Sequence, residues 1–189
     1  PRGSLWVATR DGLLLREEGV FQRFDQGSGL PSTEITALAR GAGDELWVGT
    51  RKGLALVKGK TVKDAGPSVG GIEIRALAPA KDGILWIGTN DGLLRFADNQ
   101  LEDVLVGEAK VGRGVRSILV EDDVLWVGTE GQGLWRRTKG EWENYSSSSR
   151  LGSDHIRHIH RDRQGALWIS TWKEGLVRYY GSEFTPITV

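Results

Sequence analysis

The sequence predicts an all-β protein built from repeated four-stranded sheets. Three observations carry that prediction: a five-residue motif that returns five times, a Gly-Leu pair that follows each copy, and apolar patterning without the helix period. Leu5-Trp6-Val7-Ala8-Thr9 returns as Leu46-Trp47-Val48-Gly49-Thr50, Leu85-Trp86-Ile87-Gly88-Thr89, Leu125-Trp126-Val127-Gly128-Thr129 and Leu167-Trp168-Ile169-Ser170-Thr171. The Trp spacings are 41, 39, 40 and 42 residues. Within four residues of each Thr comes Gly-Leu, at Gly12-Leu13, Gly53-Leu54, Gly92-Leu93, Gly133-Leu134 and Gly175-Leu176.

Each repeat reads as four short strands. Strand B is the Leu-Trp-Val/Ile segment, rich in aromatic and β-branched residues. A tight turn follows, with Gly where a positive φ is required. Strand C is the Gly-Leu segment, for example Leu93-Leu94-Arg95-Phe96. A turn such as Lys58-Gly59-Lys60 leads to strand D, for example Glu141-Trp142-Glu143-Asn144-Tyr145. A longer loop leads to strand A, as in Glu34-Ile35-Thr36-Ala37-Leu38-Ala39, and the other A strands begin near Ile74, Val115 and Ile156. Four strands in about 40 residues is the signature of a β-propeller blade. Both faces of a blade pack on neighbours, which explains the near-continuous apolar run of strand B. The expected fold is a single β-propeller domain or part of one. It has five recognisable blades, over residues 1–25, 34–64, 73–104, 115–145 and 155–189, and strand A of the first is missing.

Composition excludes several function classes. The 189 residues carry 25 basic and 25 acidic side chains, so no broad phosphate-binding surface and no nucleic-acid partner are expected. With no Cys there is no disulfide framework, thiolate nucleophile or Cys-ligated zinc, and the compartment stays open. The longest apolar runs, such as Ser117-Ile118-Leu119-Val120, fall far short of the roughly 20 residues that span a bilayer. No membrane contact and no signal peptide are expected in this segment. The absence of Met predicts a processed or excised piece. Pro1-Arg2-Gly3-Ser4 matches the end of a cleavable tag and a natural turn equally well.

The repeats also carry a family resemblance. Asp82-Gly83-Ile84-Leu85-Trp86-Ile87-Gly88-Thr89-Asn90-Asp91-Gly92-Leu93 resembles the two-component regulator propeller repeat, as does Arg161-Asp162-Arg163-Gln164-Gly165-Ala166-Leu167-Trp168. Gly29-Leu30-Pro31-Ser32-Thr33-Glu34-Ile35 resembles the family's lead-in to strand A. The resemblance covers essentially the whole chain. It departs at Ala8 and Ser170, which replace the small Gly, and at Asp122-Asp123, where the turn Gly usually sits. The resemblance implies a periplasmic or extracytoplasmic sensor module at the input end of a membrane-bound signalling protein. In many members the ligand is an oligosaccharide or a related breakdown product.

Candidate site residues lie on the face where the D–A loops and B–C turns open around the channel mouth. Arg10-Asp11, Arg51-Lys52, Asn90-Asp91, Glu130, Gln132 and Trp172-Lys173-Glu174 vary where the scaffold is regular. Variation on a regular scaffold marks either a grafted site or merely solvated turns. The aligned Trp residues read as core, and Trp135 and Trp142 as structural. Trp172 aligns with Arg10, Arg51, Asn90 and Glu130, where nothing apolar is required. It either stacks on a sugar ring or covers a neighbouring loop or partner. The second position of strand A is Thr36, Arg75, Arg116 and Arg157. Those guanidiniums either bind an anionic ligand or form a ladder with acidic residues of adjacent blades. His158 and His160 share a strand face and are weak metal candidates without an identifiable third ligand.

No phosphate loop, Gly-x-Ser-x-Gly elbow or paired-carboxylate motif is present, and Ser146–Ser149 reads as a flexible D–A loop. No cofactor and no catalysis are expected. Three readings follow: a ligand-recognition propeller, a structural propeller fragment that self-associates through its incomplete blade, and a lyase-type enzyme. Streptogramin lyase has a broadly similar repeat but lacks the Gly-Thr-x-x-Gly-Leu run.

Overall fold

A computed structural model describes residues 4–106, 108–149 and 151–187. The two readings of the start therefore lie, apart from Ser4, outside the described residues. Among those residues the chain forms one three-stranded, four four-stranded and one two-stranded antiparallel sheet. The first sheet runs β1 (Leu5–Ala8), β2 (Leu13–Glu17) and β3 (Val20–Phe24). The second runs β4 (Ile35–Arg40), β5 (Glu45–Thr50), β6 (Gly53–Lys58) and β7 (Thr61–Asp64). The third runs β8 (Ala76–Pro79), β9 (Leu85–Gly88), β10 (Leu93–Ala97) and β11 (Gln100–Asp103). A small hairpin, β12 (Leu105–Val106) and β13 (Ala109–Lys110), then interrupts the connection. The fourth sheet runs β14 (Val115–Glu121), β15 (Val124–Thr129), β16 (Leu134–Thr138) and β17 (Glu141–Tyr145). The fifth runs β18 (Ile156–Arg161), β19 (Leu167–Thr171), β20 (Leu176–Tyr180) and β21 (Glu183–Ile187).

The repeated motif divides its labour by strand alternation. In β15, Trp126 faces the fifth sheet and packs edge-on against Tyr179, with ring centroids 5.3 Å apart. Leu125 and Val127 point the other way, into a core shared with Trp86 of the third sheet. The same arrangement places Trp47 against Phe96, at 6.1 Å, and Trp86 against the guanidinium of Arg137, at 5.9 Å. Each pair of successive sheets therefore encloses its own apolar core. Trp86 and Trp126 are buried, while Trp6, Trp47 and Trp168 are half-buried. Trp168 directs its indole N–H to the Asp162 carboxylate, at 2.7 Å. That bond, with backbone N–H groups of Ala166 and Gln164, holds the Asp162 carboxyl below its ordinary range. Trp135 and Trp142 meet edge to face at 6.3 Å against the core between the third and fourth sheets.

The Thr and Gly of the motif build the turn. Thr9, Thr50, Thr89, Thr129 and Thr171 each donate a hydroxyl hydrogen bond to the turn glycine's carbonyl, at 2.6 to 3.0 Å. The glycine is required for two reasons. At Gly133 φ is +71°, and an added Cβ would lie 2.1 Å from the Tyr145 carbonyl oxygen. The leucine that follows is fully buried at positions 13, 54, 93 and 134. An apolar residue of the following connection shares its core: Leu30, Val69 and Val111 in the first three, and Leu151 in the fourth.

Two connections differ from the sequence reading. Ser147–Ser149 forms a short 3-10 turn rather than a structureless loop, because the Asp154 carboxylate accepts the Ser147 N–H at 2.6 Å. The β12–β13 hairpin is set by Val111, which is fully buried and donates its N–H to the Val104 carbonyl at 2.9 Å.

This packing sets the cost of three substitutions. Leu134→Ala removes a fully buried side chain and should cost about 2–5 kcal/mol in urea unfolding. Leu176→Ala, at the same repeat position but 36% exposed, should cost under about 1 kcal/mol. Gly88→Ala should cost about 1–3 kcal/mol, since its Cβ would lie 2.5 Å from Val115 Cγ1. A neutral result in thermal unfolding would show that β14 moves away freely.

Candidate functional site

Strand A acquires its functional geometry from a bulge. In the fourth sheet Val115 pairs with Thr129 and Ser117 with Gly128, so Arg116 has no partner of its own. In the fifth, Ile156 pairs with Thr171 and His158 with Ser170, leaving Arg157 extra. Thr36 holds the same place in the second sheet. A bulge re-aims the extra side chain out of the strand's alternation. The second position of strand A thus reaches the turns instead of the flanking cores.

Most of these arginines are taken up by carboxylates. Glu34 pairs with Arg51 at 3.2 Å, and Arg51 approaches Glu73 at 4.0 Å. Glu73 also pairs with Arg75 at 3.6 Å. Glu130 accepts from Arg116 through Nε at 3.0 Å and lies 3.7 Å from Arg75. The Arg116 hydrogen bond holds the Glu130 carboxyl below its ordinary range. Arg51, Arg75 and Arg116 therefore belong to one ladder of alternating charge across three sheets. Arg157 forms no ion pair among the described residues. Its guanidinium lies over the Trp172 ring instead, 4.0 Å from the centroid.

A cavity of about 510 Å³ opens beside that pair. Its walls include Arg116, Glu130, His155, Arg157, Trp172 and Lys173. Two B–C turns frame it, Glu130-Gly131-Gln132 and Trp172-Lys173-Glu174, each one residue longer than its counterparts in the first three repeats. Trp172 is half exposed, and its backbone N–H donates to the His155 carbonyl at 2.9 Å. Lys173 sits at φ +74°, a left-handed conformation uncommon for a side chain of its length. One face of the indole is covered by Arg157.

The sequence candidates thus separate. Arg116, Arg157, Trp172 and Lys173 come together at the cavity, and Arg75 joins through Glu130. Arg10, Lys52, Asn90 and Asp91 are exposed on other turns and do not line it. His158 and His160 are exposed on β18, and no cluster of three or more His, Asp or Glu forms among the described residues. Ser153 and His155 line the cavity and were not singled out from sequence. The signal for them was the added residue in the two neighbouring turns.

Comparison with known proteins places this geometry. Residues 68–91 and 150–173 match the family model described as two component regulator propeller. The extracellular domain assigned to the hybrid two component system BT3049 of B. thetaiotaomicron superposes with a TM-score of 0.79 at 21% identity. The match covers 99% of this chain and 27% of that one. The corresponding BT4673 domain gives 0.71 at 21% identity over 82% of this chain and 21% of the other. Streptogramin B lyase gives 0.77 at 15% identity, covering 99% of this chain and 65% of the lyase. No curated protein sequence matches the chain. The chain spans about a quarter or less of the two sensor domains, and at these identities the likeness is one of fold. The two matched segments, in the third and fifth repeats, carry the two-component regulator propeller pattern.

Proposed function

We infer that this chain is a non-catalytic ligand-recognition propeller module, of the kind found in extracytoplasmic input domains of two-component systems. The observation that carries the reading is the cavity at the two long turns. There an exposed indole, an arginine without a carboxylate partner and a lysine converge. Such a site suits an oligosaccharide or anionic metabolite. The free indole face offers a flat apolar surface to a sugar ring, while Arg157 and Lys173 meet a carboxylate. The ladder supports the assignment by contrast. Arg75 and Arg116 are already paired with Glu73 and Glu130, so the cationic character of the mouth rests on Arg157 and Lys173.

Calorimetric titration with glucuronate, citrate and neutral oligosaccharides tests this reading. The acidic probes should bind, and Trp172→Ala or Arg157→Ala should weaken them about tenfold or more, roughly 1.4 kcal/mol. Equal affinity for wild type and both variants, or turnover of any probe, would remove the reading. Glu130→Gln should change stability by less than about 1 kcal/mol, because its partners are partly exposed. It should also tighten anionic probes by freeing Arg116 and Arg75. Acid acts in the same direction. The Glu130 carboxyl is depressed, so its ion pairs are intact at neutral pH and are lost as pH falls through that lowered value.

A further inference from the structure

One carboxylate of the ladder lines the cavity itself. Glu34 and Glu73 do not line it, whereas Glu130 comes from a B–C turn and does. Arginines of two successive repeats converge on a single atom of that side chain. Glu130 Oε2 accepts from Arg116 through Nε at 3.0 Å and Nη2 at 2.5 Å, and lies 3.7 Å from Arg75 Nη1. Oε1 has no partner among the described residues. These residues belong to the third and fourth sheets, each of which packs on a neighbour on both sides.

The fit between these guanidiniums and Glu130 is incomplete. An arginine fork matches an oxyanion best when two of its nitrogens meet two oxygens. Glu130 is tethered to its turn and offers one oxygen. A carboxylate, sulfate or phosphate group of a ligand has no tether and can offer more. Little holds the side chain in place, because Glu130 is 42% exposed and Arg75 and Arg116 are 21% and 28% exposed. Ion pairs this open to water contribute little. The backbone, by contrast, is fixed. The Glu130 N–H donates to the Gly114 carbonyl at 2.9 Å, and Glu130 bridges His155. The carboxylate can therefore leave by rotation of its own side chain while the turn stays. Arg116 then has no carboxylate partner among the described residues, and Arg75 keeps Glu73. Arg157 and Lys173 line the same cavity, so the place it leaves is cationic on several sides.

We propose that Glu130 is a displaceable internal ligand: the oxyanion of a bound molecule takes its place between Arg75 and Arg116. The proposal rests on the reading of the mouth as an anion site. It adds that every anionic ligand competes with Glu130, which sets the affinity below which an anion is refused.

Carbon NMR of the glutamate carboxyl groups tests this, with inorganic sulfate as the probe. The Glu130 signal is the one lost in Glu130→Gln. Without sulfate Glu130 should titrate below the ordinary glutamate range, held there chiefly by the Arg116 hydrogen bond. At saturating sulfate it should return to that range or rise above it, because that bond is broken. In calorimetry sulfate should bind Glu130→Gln about fivefold more tightly than wild type. Adding Arg116→Ala to Glu130→Gln should abolish that gain. A Glu130 carboxyl that stays low at saturation would overturn the proposal. So would equal sulfate affinity in wild type and Glu130→Gln, or no sulfate binding by Glu130→Gln. The broader reading fails separately: Trp172→Ala and Arg157→Ala would leave acidic probes unchanged, while Glu130→Gln still tightened sulfate and supported the displacement.

Discussion

The arrangement of the sheets depends on one close approach. Where strand B ends, the next sheet's first inner residue presses on a position that has no room for a side chain. Added Cβ atoms at Gly49, Gly88 and Gly128 would lie 2.5, 2.5 and 2.6 Å from Ile74, Val115 and Ile156. The neighbouring backbone is tied at the same point. Ile74 donates its N–H to Thr50 and Val115 to Thr89, at 3.0 and 2.9 Å. A hydrogen bond between sheets and a methyl-sized gap thus set sheet separation together. The Trp of the same strand then reaches its partner in the following sheet, and each core closes behind it. Ala8 shows the tolerance: it has a Cβ, and its neighbour Ile35 donates to Thr9 at 3.0 Å while remaining only half-buried.

That constraint also places the chemistry. Because the first residue of strand A is pinned to the preceding sheet, the second residue absorbs the mismatch as a bulge. The bulge carries arginine in the fourth and fifth sheets. Such residues are free of the packing code and stand beside the turns. Their fate is then decided by the nearest carboxylate. Glu73 and Glu130 each touch arginines of neighbouring repeats, and the resulting ladder is partly exposed and worth little to stability. What the ladder does is remove charge from the mouth. Arg157 escapes because the turn facing it holds Trp172 where its counterpart in the fourth sheet holds Glu130.

The repeats were legible because their residues have single structural jobs. A Trp every 40 residues or so and a Gly that tolerates no Cβ leave few alternatives, and the strand order within each sheet followed directly. The β12–β13 hairpin was not legible, since two-residue strands carry no period and this one hangs on a buried Val111. The bulge was invisible as a bulge: the sequence marked Thr36, Arg75, Arg116 and Arg157 as one column, but the departure of Thr36, Arg116 and Arg157 from alternation is a property of pairing. The fate of each arginine lay beyond the sequence too, because Glu130 is 14 residues from Arg116 in the chain and belongs to another turn. Trp172 stood out in sequence as an aromatic ring where the repeat requires none, and it lines the cavity.

The scaffold by itself does not choose a function, since the same sheet arrangement superposes on an extracellular domain of a two component system and on streptogramin B lyase with similar scores. The choice must come from residues the scaffold does not need. Removing every residue explained by packing, turn closure or the ladder leaves a short set at the mouth: Arg157, Trp172 and Lys173. Lys173 pays a conformational cost at φ +74°, where its counterparts in the first three repeats have no positive φ. A stacked cation, a flat ring and a strained lysine beside a cavity of about 510 Å³ can hold a ligand and neutralise its charge. The proposed role rests on that arrangement: a guanidinium and an ammonium suit an anionic group, and the indole offers a flat apolar surface.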